Sequence, residues 1–206
     1  MLDTPNRDRK AERREETRRE ILQAAWALAR RDGIGGISLR DLARRVGMRA
    51  PSLYTYFDSK HAIYDAMFAE GWRALADAMT VTEREDGGGD PEERLRVRAA
   101  AFVRFATEDP VRYQLMQQRP IPDFEPSPQS YAPSLESYER LRATMAEIEI
   151  VDQRDLDLWT ALLAGLAHQQ IANDPGGRRW LQLVDDAVEM FLAHVRGRQE
   201  EKGSTR

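Results

Sequence analysis

Residues 37–60, ISLRDLARRVGMRAPSLYTYFDSK, decide the fold. Ser38 with Asp41 three residues on is a capping signal, so a helix is expected from near Leu39. Leu39, Leu42, Ala43 and Val46 then recur at i, i+3, i+4 and i+7, one apolar helical face. Arg40, Arg44 and Arg45 lie off that face. Gly47 stands where the chain must take a positive φ to leave the helix. A second helix is expected from about Ala50, with Pro51 tolerated in its first turn. Leu53 and Phe57, four apart, turn inward and leave Ser52, Tyr54, Thr55 and Tyr56 outward. Two short helices joined by a tight glycine turn form a helix-turn-helix, a shape that fits the DNA major groove.

The end of this stretch reads Leu53, Tyr54, Thr55, Tyr56, Phe57, Asp58, Ser59, Lys60. In order, spacing and distance from the N-terminus it resembles the "LY-x-[HY]-F-x-[ST]-K" segment of TetR-family transcriptional regulators. The resemblance covers an opening helix at about residues 17–32, then 33–36, 37–46, the turn, 50–57, and 59–60 at the head of a long fourth helix. It implies that Tyr54, Tyr56 and Lys60 touch DNA phosphates, which set register and supply most of the salt-dependent affinity. It implies a phosphate bond from Ser38 as well. Arg40, Arg49, Ala50, Ser52 and Thr55 sit where the family reads bases or the adjacent backbone. An arginine can bond guanine O6 and N7 bidentately, and Thr or Ala can pack on a thymine methyl. Where many relatives have His, this chain has Tyr56, which brings no titratable charge near neutral pH. Plainer readings stand beside these roles: Arg44 and Arg45 as a solvated helix face, Arg49 as a solvent-facing turn residue, Tyr54 as partly packing, Pro51 as structural.

Charge supports a nucleic-acid head. The chain carries a formal net charge of −4, which looks wrong for a DNA binder until it is divided. Residues 1–60 hold 14 Lys/Arg against 9 Asp/Glu, and residues 61–206 hold 17 against 26. The basic part coincides with the helix-turn-helix. Residues 1–16 are expected to form a mobile basic arm. Arg7, Arg9, Lys10, Arg13 and Arg14 could reach the minor groove or flanking phosphates; the blander reading is a disordered tail whose Glu12, Glu15 and Glu16 offset much of the charge. The absence of cysteine excludes disulfides, thiolate metal sites and thiol redox sensing. The charged N-terminus does not read as a signal peptide, and no apolar run is long enough for a membrane span. A soluble, cytoplasmic protein without membrane contact is expected.

The remainder reads as helices, with no strand alternation and no internal repeat, so the class is all-α with about nine helices. The expected organisation is the arm at 1–16, a three-helix helix-turn-helix DNA-binding domain at 17–60, and a helical effector-binding and dimerisation domain at 61–206. In the first helix Ile21, Ala25, Leu28 and Ala29 turn inward. Tyr64, Phe68, Trp72, Leu75 and Met79 carry helical spacing onward from Ser59, and Gly87, Gly88 and Gly89 end that unit. Asp90 is a good N-cap with Pro91 at the first helical position. That helix should run to about Thr107, with Ala99, Phe102, Val103 and Ala106 inward. A corner at 108–110 leads to a short helix with Val111, Tyr113, Leu115 and Met116. Residues 120–133 hold five of the ten prolines and are expected to be a loop. A helix over about 134–148 follows.

The last two helices are expected at 155–172 and 178–195, with a turn at 173–177. The first is apolar nearly all round, so it must be buried on more than one side. Its Ala161, Ala164, Gly165 and Ala167 would let another helix approach closely. Together the pair suggests a four-helix homodimer interface with Leu162, Leu166, Trp180, Val184, Val188 and Phe191; the alternative is that they simply close the monomer core. The resemblance implies the dimer too. It further implies a repressor that binds a near-palindromic double-stranded operator and is released by a small effector, with the fourth helix as lever. Trp72, Phe102, Tyr113, Met116, Met145, Trp159, His168 and Gln169 are candidates for a largely apolar effector pocket, although residues of this kind are more often plain core. No catalytic residue, metal site or cofactor is expected. His61, His168 and His194 show no HExxH or ExxH spacing, and there is no P-loop or GxGxxG. A helical scaffold without DNA binding is the rival account, and it leaves Tyr54, Tyr56 and Lys60 unexplained.

Overall fold

A computed structural model describes the backbone of residues 5–85 and 89–204, with side chains over 9–82 and 89–201. Nine α-helices, and no strand, occur among the described residues: α1 Pro5–Asp32, α2 Leu39–Arg45, α3 Ala50–Leu53, α4 Lys60–Glu85, α5 Pro91–Glu108, α6 Pro110–Gln117, α7 Pro128–Ala146, α8 Gln153–Asn173 and α9 Val184–Ser204. Short 3₁₀ turns at Ile34–Gly36 and Leu181–Leu183 precede α2 and α9. None of these helices is long and apolar enough to cross a membrane.

Packing divides the chain into two units, one made of residues 1–71 and 114–132, the other of 72–113 and 133–206. In the first, α1 buries Ile21, Ala25, Trp26, Leu28 and Ala29 beside buried Leu42 and Ala43 of α2 and Leu53 of α3. In the second, α5 packs on α8 and α9. Its core is built from Leu95, Ala99, Val103, Tyr113, Met145, Leu156, Trp159, Leu163, Val188 and Phe191, with Phe102 partly buried against them.

Local chemistry sets several boundaries as the sequence foretold. The Asp90 carboxylate accepts from the N–H groups of Glu92 (2.9 Å) and Glu93 (3.0 Å), and Pro91 opens α5. Elsewhere the boundaries moved. Helix α1 begins at Pro5, not near residue 17, because residues 5–16 are rich in Arg, Glu, Lys and Ala, all strong helix formers. Residues 1–4 of the expected arm, and Gly87 and Gly88, lie outside the described residues. The expected loop over 120–133 gives way to helix from Pro128, with Pro133 inside it. Pro128 needs no N–H at the first helical position, and the Ser127 hydroxyl caps the Ser130 N–H at 3.2 Å. Asp65 of α4 then accepts from the Ser127 N–H (2.7 Å), the Ser127 hydroxyl (2.8 Å) and the Ser130 hydroxyl (2.7 Å), all within the first unit.

Helix α9 starts at Val184 rather than at 178. The cause is Gln170, 1% exposed on α8, whose carbonyl oxygen accepts from the Trp180 N–H (2.8 Å) and Leu181 N–H (3.3 Å). Its amide donates back to the Asp174 carbonyl. The N–H of Arg179 and that Gln170 amide hold the Asp174 carboxyl below the usual carboxylate range. The backbone of 173–181 is thereby tied to α8 before α9 can begin.

Candidate nucleic-acid interface

The helix-turn-helix is held by three local devices. Ser38 accepts from the Asp41 N–H at 3.4 Å and starts α2. At its end the Met48 N–H reaches the Ala43 carbonyl (2.8 Å) and the Gly47 N–H the Arg44 carbonyl (3.2 Å). Gly47 has φ +70°, the left-handed residue this closing motif needs. Pro51 stands in the first turn of α3.

Regular α3 is shorter than the eight residues expected, ending at Leu53. Beyond it, Tyr54, Thr55 and Tyr56 donate to the carbonyls of Pro51, Ser52 and Leu53, a tightened i to i−3 turn. Leu53 and Phe57 are 1% and 3% exposed, and this inward pair turns the intervening residues outward. Arg40, Arg49, Ser52, Tyr54 and Thr55 are exposed; Ser38, Ala50, Tyr56 and Lys60 are half-buried. All nine therefore present accessible surface on consecutive turns of the first unit. Arg44 instead pairs with Asp41 at 2.6 Å, as a solvated helix face would.

Two supports had no clear signal in the motif. The Arg18 guanidinium, on α1, donates to the Tyr56 carbonyl and lies 4.2 Å from the centre of the Phe57 ring. Arg14, one turn earlier, lies 5.4 Å from the centre of the Tyr56 ring. Their i, i+4 spacing was the available hint. Lys60 Nζ reaches the Gly35 carbonyl at 3.5 Å and sits over the Tyr64 ring. The Tyr64 hydroxyl donates to the Ile34 carbonyl at 2.9 Å, and burial pushes its pKa up to about 12.

The other candidate sites divide. Tyr113, Met145 and Trp159 are buried in the core of the second unit, with Phe102 edge-on to Tyr113 and Trp159 edge-on to Phe191. Trp72 and Gln169 are half-buried. His168 is exposed, so it does not line that core, and Met116 falls in the first unit. Of the residues expected at a dimer contact, Leu166, Val184, Val188 and Phe191 are buried within this one chain. Leu162 and Trp180 are half-buried. The apolar side of α8 and α9 that faces outward carries Leu158 (44% exposed) and Met190 (61%). Among the described residues no group of three or more His, Asp or Glu side chains could hold a metal.

The same segment has known relatives. Residues 21–67 match the model of the bacterial regulatory proteins of the tetR family. The HTH-type transcriptional regulator YobS of Bacillus subtilis is 35% identical over 100 residues, 48% of this chain and 50% of YobS. The chain thus spans about half the length of the first curated relatives it matches. The HTH-type transcriptional repressor Rv1353c of Mycobacterium tuberculosis is 23% identical over 99% of this chain and 79% of its own length. Among solved structures, the regulatory protein SCO4313 aligns with a TM-score of 0.72 at 22% identity, over 92% of this chain and all of that one, a likeness of fold. The helix-turn-helix geometry and the match that spans it identify residues 21–67 as a module of the kind carried by the tetR family of bacterial regulatory proteins.

Proposed function

We propose that the chain is a DNA-binding transcriptional regulator, a repressor that grips a near-palindromic operator as a homodimer and lets go when a small apolar effector binds. The observation that carries this reading is the outward face of α2 and α3, where Arg40, Arg49, Ser52, Tyr54 and Thr55 stand exposed over a buried Leu53–Phe57 anchor. Tyr54, Tyr56, Lys60 and Ser38 are phosphate contacts in this account, and Arg40, Arg49, Ala50, Ser52 and Thr55 contact base edges or the backbone beside them. The repressor sign is supported by the name borne by Rv1353c.

The dimer is assigned to the outward side of α8 and α9. Leu158, Ala161 and Gly165 share one face of α8 by spacing; Met190 and Gly197 share one face of α9. Small residues beside exposed apolar ones suit close helix approach across a two-fold axis. Phe102, Tyr113, Met145 and Trp159 are the candidates for the effector site. An effector that prefers one spacing of the two readers shifts the population toward it, by no more than its differential affinity.

Salt titration on a selected operator tests the residue roles. Lys60→Ala should weaken binding to all duplexes and lower the slope of log K against log salt by about one. Thr55→Ala should keep the slope and cost about 1–3 kcal/mol of discrimination at one position per half-site. An unchanged slope for Lys60→Ala overturns the phosphate assignment.

A further inference from the structure

We propose that α1 carries a second DNA contact outside the helix-turn-helix: a basic stripe on which Lys10 and Arg14 follow the phosphate backbone flanking the operator and Arg18 ties the stripe to the reader unit. The inference rests on the regulator reading above and extends its footprint.

Helix geometry sorts the charges on this segment. At 3.6 residues per turn, Lys10, Arg14 and Arg18 fall on one side of α1. Glu12, Glu15, Glu16 and Glu20 all fall on the other half of the helix. The segment is close to neutral by count, yet one face is cationic, a distinction that exists only because the chain is helical here. Had residues 9–16 been irregular, the glutamates would have screened the arginines.

The side chains show where the stripe leads. Arg14 lies over the ring of Tyr56 and Arg18 bonds the Tyr56 carbonyl, so the stripe is continuous with the end of the reader unit and with a residue assigned to phosphate contact. Arg18 is spent on holding that carbonyl and the Phe57 ring, with Glu15 at 3.7 Å as a second partner. Arg14 and Lys10 are exposed. They stand one turn apart, about 6 Å along the axis, a step of about two phosphates of one strand. Charge complementarity and this continuity both point to duplex backbone as the occupant. The contact carries no base readout, since both side chains extend from the helix flank rather than from the reader.

The test uses the full chain and its selected operator in two lengths, one trimmed to the half-sites and one with about ten extra base pairs on each side, the length of one helical turn. Wild type should bind the longer duplex more tightly. Lys10→Ala with Arg14→Ala should abolish that length preference and lower the salt slope by about two; Lys10→Ala alone, which leaves the Tyr56 contact intact, should lower it by about one. Arg19→Ala with Arg30→Ala, the same charge loss on the same helix off the stripe, should keep the length preference. If the Lys10→Ala/Arg14→Ala variant retains both length preference and slope while Tyr54→Ala loses binding, the stripe is wrong and the regulator reading stands. If the off-stripe pair behaves like the stripe pair, net charge and not the stripe is responsible, and the proposal falls. If wild type binds no duplex, both readings fall.

Discussion

Tyr64 concentrates the residue-scale argument. Its ring is 1% exposed, and its hydroxyl reaches back thirty residues to the Ile34 carbonyl, with Lys60 above the ring. Removing the hydroxyl with Tyr64→Phe leaves a buried carbonyl without its donor, so the variant should lose about 1–3 kcal/mol in denaturant unfolding. Alkali supplies a second readout. Burial raises the folded phenol from 10.0 to about 12, so its contribution is whole below pH 10 and lost as pH rises through 12. Wild type should therefore lose stability relative to Tyr64→Phe across that window; parallel pH profiles would contradict the burial argument. The spacing of Tyr64, Phe68 and Leu75 made the burial legible in the sequence. The Ile34 partner was not, because a bond across thirty residues leaves no periodic trace. Ser38, Gly47 and Asp90 were legible for the opposite reason: their chemistry acts on backbone two to four residues away.

At the scale of elements, the helix that opens at Pro128 shows where local rules mislead. Five prolines in fourteen residues read as a loop, and they would be one without an outside anchor. Asp65 is that anchor, taking three hydrogen bonds from Ser127 and Ser130, of which Ser130 is buried. Phe124 packs on the Tyr64 ring at 5.9 Å beside it. Asp65→Ala should leave those donors unmet and cost about 1–3 kcal/mol in thermal or denaturant unfolding. A change within about 0.5 kcal/mol, the range of an ordinary surface substitution, would show that the prolines alone set the helix start. The start of α9 follows the same logic through Gln170, and that of α1 through the helix propensity of a segment whose mixed charges read as a tail. In each case the sequence showed the type of element, and a distant partner or a summed propensity set its ends.

For the whole molecule, the difficulty lay in which side of an apolar helix turns inward. Helix α8 is apolar nearly all round, so periodicity could not separate its core face from a partner face. Leu156, Trp159, Leu163, Leu166 and Ala167 take the core, with Val184, Val188 and Phe191 of α9. That leaves Leu158 and Met190 outward, and of the residues expected at a dimer Leu162 and Trp180 keep partial exposure. The reader needed no such choice, because Leu53 closes the very short α3, Phe57 follows one turn on, and both turn inward, leaving Tyr54 and Thr55 exposed between them. A homodimer of such readers predicts a two-fold operator with half-sites about one helical turn, or a multiple of it, apart. The measurement that tests this most directly is a randomised-duplex selection on the purified protein, with Tyr54→Ala beside it. The account predicts enrichment of a near-palindrome by wild type and its loss in the variant. No enrichment from a folded protein at modest salt, or equal enrichment by Tyr54→Ala, would contradict it.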